Sequence, residues 1–127
     1  MANPKILVVD DEPDVVEMFE RTLRSEGFEV VSAYDGIGAM DLASTERPDL
    51  VLLDVMMPMM SGYEVCAQLR ANPNTQHIPV ICISSAHSPD ARANALRAGA
   101  ATLLTKPVMP RELIAQIRRY LRTNETA

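Results

Sequence analysis

Three short apolar runs stand out along the chain, separated by longer segments whose apolar residues recur every three to four positions. The runs are ILVV at 6–9, LVLL at 50–53 and VICI at 80–83. Nearly continuous apolar runs are typical of strands that are covered on both faces in a parallel sheet. Two further segments, 28–33 and 101–105, complete a predicted set of five strands.

The segments between these strands have the spacing of amphipathic helices. After Pro13, apolar residues recur at helical intervals until Gly27, and a second clear stripe follows Pro110. A proline near a helix start and a glycine just past its end favour these boundaries. Three weaker helical patterns cover residues 36–46, 61–71 and 88–98. The last of these is rich in alanine.

Strand and helix therefore alternate five times. This alternation predicts an α/β fold, with an open parallel sheet and helices on both of its faces. The length of 127 residues and the hydrophobic content of 47% suit one domain with one buried core. We expect this domain to cover residues 1–122, with a frayed tail or the start of a linker at 123–127.

Charge and cysteine content exclude several functional classes. The formal net charge of -5 gives no general attraction to nucleic acid or anionic membranes. No apolar run approaches the ~20 residues that cross a bilayer, and no signal peptide opens the chain, so we expect a cytoplasmic protein. Cys66 and Cys82 fit no metal or redox motif and are predicted to be buried free thiols. His77 and His87 lie in polar segments and are interpreted as surface residues.

Chemically active side chains follow directly after the predicted strands. In parallel α/β sheets, ligands bind beyond the carboxyl ends of the strands, where the chain order reverses. Three carboxylates, one hydroxyl and one ammonium stand at such positions: Asp10, Asp11, Asp54, Ser84 and Lys106. We therefore expect these five side chains to meet at one edge of the sheet.

Adjacent carboxylates at the end of a buried strand repel one another unless a cation joins them. Oxygen ligands with room for water suit Mg²⁺, which is often shared with phosphate. For Glu12 and Asp14 the simpler interpretation is capping, because acids favour helix N-termini. Capping alone is insufficient for the two aspartates before them, since it leaves Asp54 and Lys106 unexplained.

A carboxylate beside Mg²⁺ can attack a phosphoryl group and form an acyl phosphate. Lys106 would place positive charge on the phosphoryl oxygens, and the Ser84 hydroxyl would donate a hydrogen bond to them. The chain has no GxxxxGK[ST] loop that would cradle a nucleotide. We therefore expect the phosphoryl group to come from a partner or from a small donor.

Over essentially its full length, the chain resembles the receiver domain of bacterial response regulators, the phosphoacceptor half of two-component signalling. The resemblance rests on VVDDEP (8–13), LVLLDVMMPMMSG (50–62), PVICISSA (79–86) and GAATLLTKP (99–107), in that order. It implies a flavodoxin-like, doubly wound (βα)5 fold with strand order 2-1-3-4-5. It also implies a phosphorylation-dependent switch that catalyses only its own phosphorylation and dephosphorylation.

The resemblance assigns a phosphoacceptor and a metal site. Asp54 looks like the phosphoacceptor aspartate of the family. Asp11, Asp54 and the Met56 backbone carbonyl would hold Mg²⁺ directly, and Asp10 would act through water. The expected phosphodonor is a sensor histidine kinase or a histidine phosphotransfer domain, and the expected recipient is a downstream effector protein or an output domain.

The resemblance also assigns a switch, with one departure from the family. Lys106 would bind the phosphoryl oxygens, and the Lys106–Pro107 peptide bond is expected to be cis. Ser84 fills the Ser/Thr position that moves toward the phosphoryl group on activation. The family usually has an aromatic residue where this chain has Leu103, so an aromatic rotamer switch is not assumed here.

A second departure concerns self-association. The family often has acids where this chain has Ala101 and Thr102, and those acids support charge pairs across a common dimer face. A homodimer is possible, but Arg118, Arg119 and Arg122 would lack their usual partners there. We interpret these arginines mainly as a solvated helix face. Met59 and Met60, in the loop after Asp54, are placed near a docking partner.

Two other functions would also use a domain with these residues. A receiver-like interaction scaffold would take no phosphate, but such domains usually lack the acids or the lysine that this chain retains. A phosphatase of the haloacid dehalogenase type would also use an aspartyl phosphate and Mg²⁺. That family has a second aspartate two positions after its nucleophile, where this chain has Met56, so general acid–base help would be missing.

Overall fold

The structure is a computed structural model that describes residues 3–85 and 89–126, with side chains described as far as Leu121. Its elements are β1 (Lys5–Val9), α1 (Pro13–Ser25), β2 (Glu29–Ala33), α2 (Gly36–Glu46), β3 (Leu50–Asp54), α3 (Gly62–Ala71), β4 (Val80–Ser84), α4 (Pro89–Ala98), β5 (Thr102–Thr105) and α5 (Pro110–Thr126). The strands are all parallel, in the order β2-β1-β3-β4-β5. The predicted doubly wound α/β fold is confirmed.

Local sequence signals set the helix starts. Pro13 takes the first position of α1, where a backbone N–H would have no partner within the helix. The Asp35 side chain accepts a hydrogen bond from the Gly38 N–H at 2.7 Å and caps α2. The Ser61 hydroxyl accepts one from the Glu64 N–H at 3.3 Å and caps α3. Both are the short polar side chains that suit this position.

The sheet divides the core into two layers, because side chains alternate between the two faces of each strand. In β1, Leu7 and Val9 face the first core layer, which α2, α3 and α4 cover. Ile6 and Val8 face the layer that α1 and α5 cover. Both faces of the sheet are thus buried, which explains why its central strands read as continuous apolar runs.

The two layers differ in the size of the side chains that their helices contribute. On one face, α1 and α5 bury large apolar side chains, namely Val16, Phe19, Leu23, Leu113, Ile117 and Leu121. On the other face, α4 buries only Ala91 and Ala95. Burial stabilises by about 0.8 kcal/mol per CH₂ group, so a methyl side chain contributes little. The apolar anchoring of α4 is therefore weak.

The C-terminal helix is longer than the sequence predicted. α5 continues to Thr126, whereas the sequence analysis placed a tail at 123–127. Its apolar stripe packs on the sheet through residues spaced three to four apart, as expected of an amphipathic helix.

Two arginines of α5 contact other side chains of the chain. Arg118 forms an ion pair with Glu26 across a distance of 3.2 Å, and Arg119 lies over the Tyr120 ring at 5.5 Å from its centroid. Both arginines are exposed, as predicted for a solvated helix face. The Arg122 side chain lies outside the described residues.

The predictions for the two cysteines and for His77 are confirmed. Cys66 and Cys82 are buried free thiols, and His77 is exposed. His87 lies outside the described residues. Across the described part of the chain, every helix is too short or too polar to cross a membrane.

A close backbone approach joins the end of β3 to the start of α3. The Gly62 N–H donates a hydrogen bond to the Val55 carbonyl at 2.9 Å. A Cβ atom at Gly62 would lie 2.3 Å from the Asp54 carbonyl oxygen, which is closer than real Cβ contacts come. Only glycine fits this position without displacing the backbone beside Asp54.

We predict that Gly62→Ala lowers the free energy of unfolding by about 2–3 kcal/mol, because overpacking against backbone cannot relax easily. Gly27→Ala is the matched control, since Gly27 has a φ of +88° but open space around its Cβ direction. The control is expected to lose only about 1 kcal/mol through backbone strain. Urea denaturation measures both losses, and equal losses would contradict the steric explanation.

Candidate functional site

The strand register places two of the predicted acids side by side at the carboxyl edge of the sheet. Val9 of β1 pairs with Leu53 of β3, so Asp10 and Asp54 come next on neighbouring strands. Paired strands lie about 4.8 Å apart. Both acids are buried, with exposed fractions of 1% and 5%.

The other two strand ends bring the hydroxyl and the ammonium to the same edge. Ser84 is the last residue of β4 and is buried. It pairs with Thr105 of β5, and its carbonyl accepts a hydrogen bond from the Lys106 N–H at 2.8 Å. The order β1-β3-β4-β5 therefore gathers the predicted residues from four successive strands.

Lys106 supplies the positive charge at the centre of the site. Its Nζ lies 3.2 Å from Asp54 Oδ1 and 3.6 Å from Asp10 Oδ2. Among the described residues, these two buried carboxylate oxygens accept no hydrogen bond. A buried acceptor without a hydrogen-bond donor is costly, so both oxygens are suited to bind a cation.

Burial and neighbouring charges shift the proton equilibria in the site. Burial, together with the nearby Asp10 carboxylate, raises the pKa of Asp54 from 3.8 to about 6, although the Lys106 ammonium opposes this rise. For Lys106, burial lowers the pKa, but the attraction of Asp54, Asp10 and Glu12 outweighs it, and the net pKa is raised. Lys106 therefore stays charged at neutral pH, beside an acid that titrates near neutrality.

Glu12 belongs to the acidic cluster, which the sequence analysis did not predict. Oxygens of Asp10, Asp11 and Glu12 all lie within 4.8 Å of one another. Glu12 stands at the N-cap position of α1, as predicted, although its side chain makes no capping hydrogen bond. Its N–H instead donates to Asp10 Oδ1 at 3.0 Å. Asp14 lies in the first turn of α1, as expected.

The donor set fits a hard divalent cation. Four carboxylates and one ammonium leave the site with surplus negative charge, and two buried carboxylate oxygens face Lys106 without accepting a hydrogen bond. Carboxylate oxygens with solvent access on one side are the ligands that Mg²⁺ takes in proteins. Asp54 is not in the group of three acids within 4.8 Å; it is linked to them through Lys106 and Asp10.

The loop after Asp54 carries a methionine run that is partly buried and partly exposed. Met57 is buried, and Met60 packs against the first layer of the core, close to Gly36. Met59 is fully exposed in a left-handed conformation with φ of +70°, and Met56 is also exposed. A ligand role for the Met56 carbonyl stays a prediction, as does partner docking at Met59.

The remaining predicted residues lie on β5 and just beyond it. The Lys106–Pro107 peptide bond is cis, as expected. Leu103 is buried in the first core layer and pairs with Cys82 of β4. It therefore packs as an ordinary strand residue, and it presents no ring that could turn between two positions.

The comparison with sequence families gives one match that covers most of the chain. The response regulator receiver domain family matches residues 6–118. The transcriptional regulatory protein PrrA of Mycobacterium tuberculosis is 43% identical over 122 residues, which is 96% of this chain and 52% of PrrA. The chain thus spans about half the length of this curated relative.

Two solved structures show the same architecture. The chemotaxis protein CheY4 of Vibrio cholerae superposes with a TM-score of 0.88 and 32% identity, covering 93% of this chain and 98% of CheY4. The receiver domain of the sensor histidine kinase PA1611 of Pseudomonas aeruginosa superposes with a TM-score of 0.87 and 33% sequence identity. The match covers 94% of this chain and 98% of the PA1611 receiver domain. That structure has a magnesium ion coordinated in the active-site cleft.

We predict that Asp54 makes stability fall with pH in metal-free buffer. The folded protein holds the Asp54 proton up to a pKa of about 6, whereas the unfolded chain releases it near 3.8. Between these values the folded state binds more protons, so raising the pH from about 4 to about 6 lowers the free energy of unfolding, by about 1–3 kcal/mol.

Asp54→Asn removes this titration, and its stability is expected to fall less over the same pH range. Urea denaturation at each pH, with a chelator present, measures the difference from wild type. Asp14→Asn is the control, since Asp14 is an exposed acid of the α1 first turn. Parallel pH profiles for wild type and Asp54→Asn would contradict the raised pKa.

Proposed function

Because the chain belongs to the response regulator receiver domain family, we propose that Asp54 accepts a phosphoryl group and so sets the state of a signalling switch. The observation that carries this proposal is the buried Asp54 carboxylate, which has an oxygen without a hydrogen bond and a lysine ammonium 3.2 Å away. That arrangement provides a nucleophile and a counter-charge for the incoming group.

The proposed reaction forms an acyl phosphate. A carboxylate oxygen of Asp54 attacks phosphorus, and the bond between phosphorus and the donor atom breaks. With a phosphohistidine donor, the electron pair of the broken P–N bond leaves with the imidazole, which then takes a proton. Lys106, now paired with Asp54 and Asp10, would turn to the phosphoryl oxygens and neutralise part of their charge.

The acidic residues would hold the metal ion that this transfer uses. Asp11, Asp54 and the Met56 carbonyl are the proposed ligands, with Asp10 acting through water, and Glu12 adds negative charge beside them. When bound, Mg²⁺ would supply positive charge to the phosphoryl oxygens during transfer. Asp10 would keep Lys106 and the metal site in one connected charge network.

The switch would be read through Ser84 and the elements that follow it. The Ser84 hydroxyl is proposed to move toward the phosphoryl group, since β4 ends beside Asp54 and pairs with β3. Leu103 packs in the core, so the conformational change would pass through α4 rather than through an aromatic side chain at that position. The domain would catalyse its own phosphorylation and dephosphorylation and no further turnover.

We propose a histidine kinase or a histidine phosphotransfer domain as the phosphodonor, and an effector protein or an output domain as the recipient of the signal. Phosphorelay partners of this kind would place the domain in the cytoplasm. The net charge of -5 argues against nucleic acid as a direct ligand of this domain. Residues 1–122 are proposed to form the receiver, and the family match covers residues 6–118 of this range.

Incubation with acetyl phosphate tests the proposed function. We expect the intact mass to increase by one phosphoryl group, only when Mg²⁺ is present and only when Asp54 is intact. Asp54→Ala should abolish the gain, and Asp14→Ala, an exposed acid on α1, should keep it. An unchanged mass for the wild-type protein with Mg²⁺ would favour a scaffold that never takes phosphate.

A second prediction concerns the Mg²⁺ affinity. Glu12→Gln removes one negative charge from the cluster within 4.8 Å, and we expect it to weaken Mg²⁺ binding about 3- to 10-fold, as for one charge near a partly exposed site. Isothermal titration calorimetry measures the affinity. Asp14→Asn removes the same charge outside the cluster and should change the affinity less; equal losses for both variants would show only a general effect of net charge.

A further inference from the structure

Tyr63 links the helix after the phosphoacceptor strand to the helix after the Ser84 strand. Its hydroxyl donates a hydrogen bond to the Ala91 carbonyl at 3.1 Å, between residues 28 positions apart. Tyr63 is the second residue of α3, and Ala91 lies in the first turn of α4. The bond therefore joins the N-terminal ends of two neighbouring helices at the functional edge of the sheet.

On the α3 side this link is rigid. Tyr63 directly follows Gly62, whose N–H donates to the Val55 carbonyl and whose Cα packs against the Asp54 backbone. The Tyr63 ring is also partly buried against the first core layer. Tyr63 thus has a fixed position relative to Asp54.

On the α4 side the link meets a helix whose buried apolar side chains are small. The buried apolar side chains of α4 are those of Ala91 and Ala95 alone. A hydrogen bond contributes about 0.5–1.5 kcal/mol net, comparable with the burial of one or two methyl groups. The Tyr63 hydroxyl therefore adds to the first turn of α4 a contact comparable in free energy with the burial of its small apolar side chains.

The first turn of α4 is also close to the switch serine along the chain. Ser84 ends β4 and Pro89 begins α4, so only residues 85–88 separate them. Displacement of Ser84 toward Asp54 would pull on the start of α4. Burial and the nearby Cys82 thiol raise the pKa of Tyr63, so its hydroxyl stays protonated and able to donate.

We propose that Tyr63 is a positioning residue that holds α4, and through it Ser84, in the arrangement of the unphosphorylated protein. Phosphorylation of Asp54 acts against this hydrogen bond. The proposal rests on the proposed function and deepens it, because it identifies a side chain that sets the balance between the two states of the switch.

Tyr63→Phe tests the proposal, because it removes the hydroxyl and keeps the ring. Without phosphate, amide hydrogen exchange in the first turns of α4 should become about 3- to 10-fold faster. Beryllofluoride with Mg²⁺, a stable analogue of the phosphoryl group, should bind about 3- to 10-fold more tightly than to wild type, since a restraint on the unliganded state is lost. Tyr34→Phe is the control, because Tyr34 is a half-exposed tyrosine at the same edge of the sheet.

The outcomes separate the two proposals. Faster exchange in α4 together with tighter beryllofluoride binding, neither of them seen in Tyr34→Phe, supports the role of Tyr63. Unchanged exchange in α4, or beryllofluoride affinity equal to or weaker than that of wild type, overturns that role and leaves the proposed function intact. If the wild-type protein itself binds no beryllofluoride and gains no phosphoryl mass, the proposed function fails, and the role of Tyr63 in switching fails with it.

Discussion

The rest of this structure depends on keeping two carboxylates buried on neighbouring strands. Asp10 and Asp54 repel each other, and burial makes their ionised forms costlier still. Lys106 offsets part of this cost, but it directly follows β5, which lies two strands away from β3. The ion pairs therefore form only when β1, β3, β4 and β5 are assembled in the correct order. The site and the sheet are specified together.

The free-energy cost of burying these two carboxylates is offset by apolar packing elsewhere in the molecule. The layer beneath α1 and α5 is built from large aliphatic and aromatic side chains, with Ile117 and Leu23 fully buried. That layer holds β1, and thereby Asp10, without contributing any residue to the chemistry. The opposite layer packs against α3 and α4, which follow Asp54 and Ser84 along the chain. The helix that would respond to phosphorylation, α4, thus lies on the opposite face of the sheet from the large side chains of α1 and α5.

The sequence predicted the sheet, the helices and the residues at the strand ends, because these depend on local periodicity and on the geometry of parallel sheets. It did not predict the role of Glu12, since an acid before a helix has the same pattern whether it caps the helix or joins a cation site. The Tyr63–Ala91 contact was also missed. In the sequence, nothing distinguishes Tyr63 from other residues near a helix start. Its hydroxyl reaches the Ala91 carbonyl only because α3 packs against α4.

The alanine face of α4 also limits how the protein can vary. Where large side chains interlock, as beneath α5, a substitution of similar volume can be absorbed by rearrangement of its neighbours. Ala91 and Ala95 are buried, so a larger side chain at either position would crowd the contact between α4 and the sheet. Substitutions at these two positions would therefore change the position of α4 in the unphosphorylated protein before they changed the fold. Diversification of signalling output could thus proceed through small changes in volume on one helix, with every residue of the phosphorylation site unchanged.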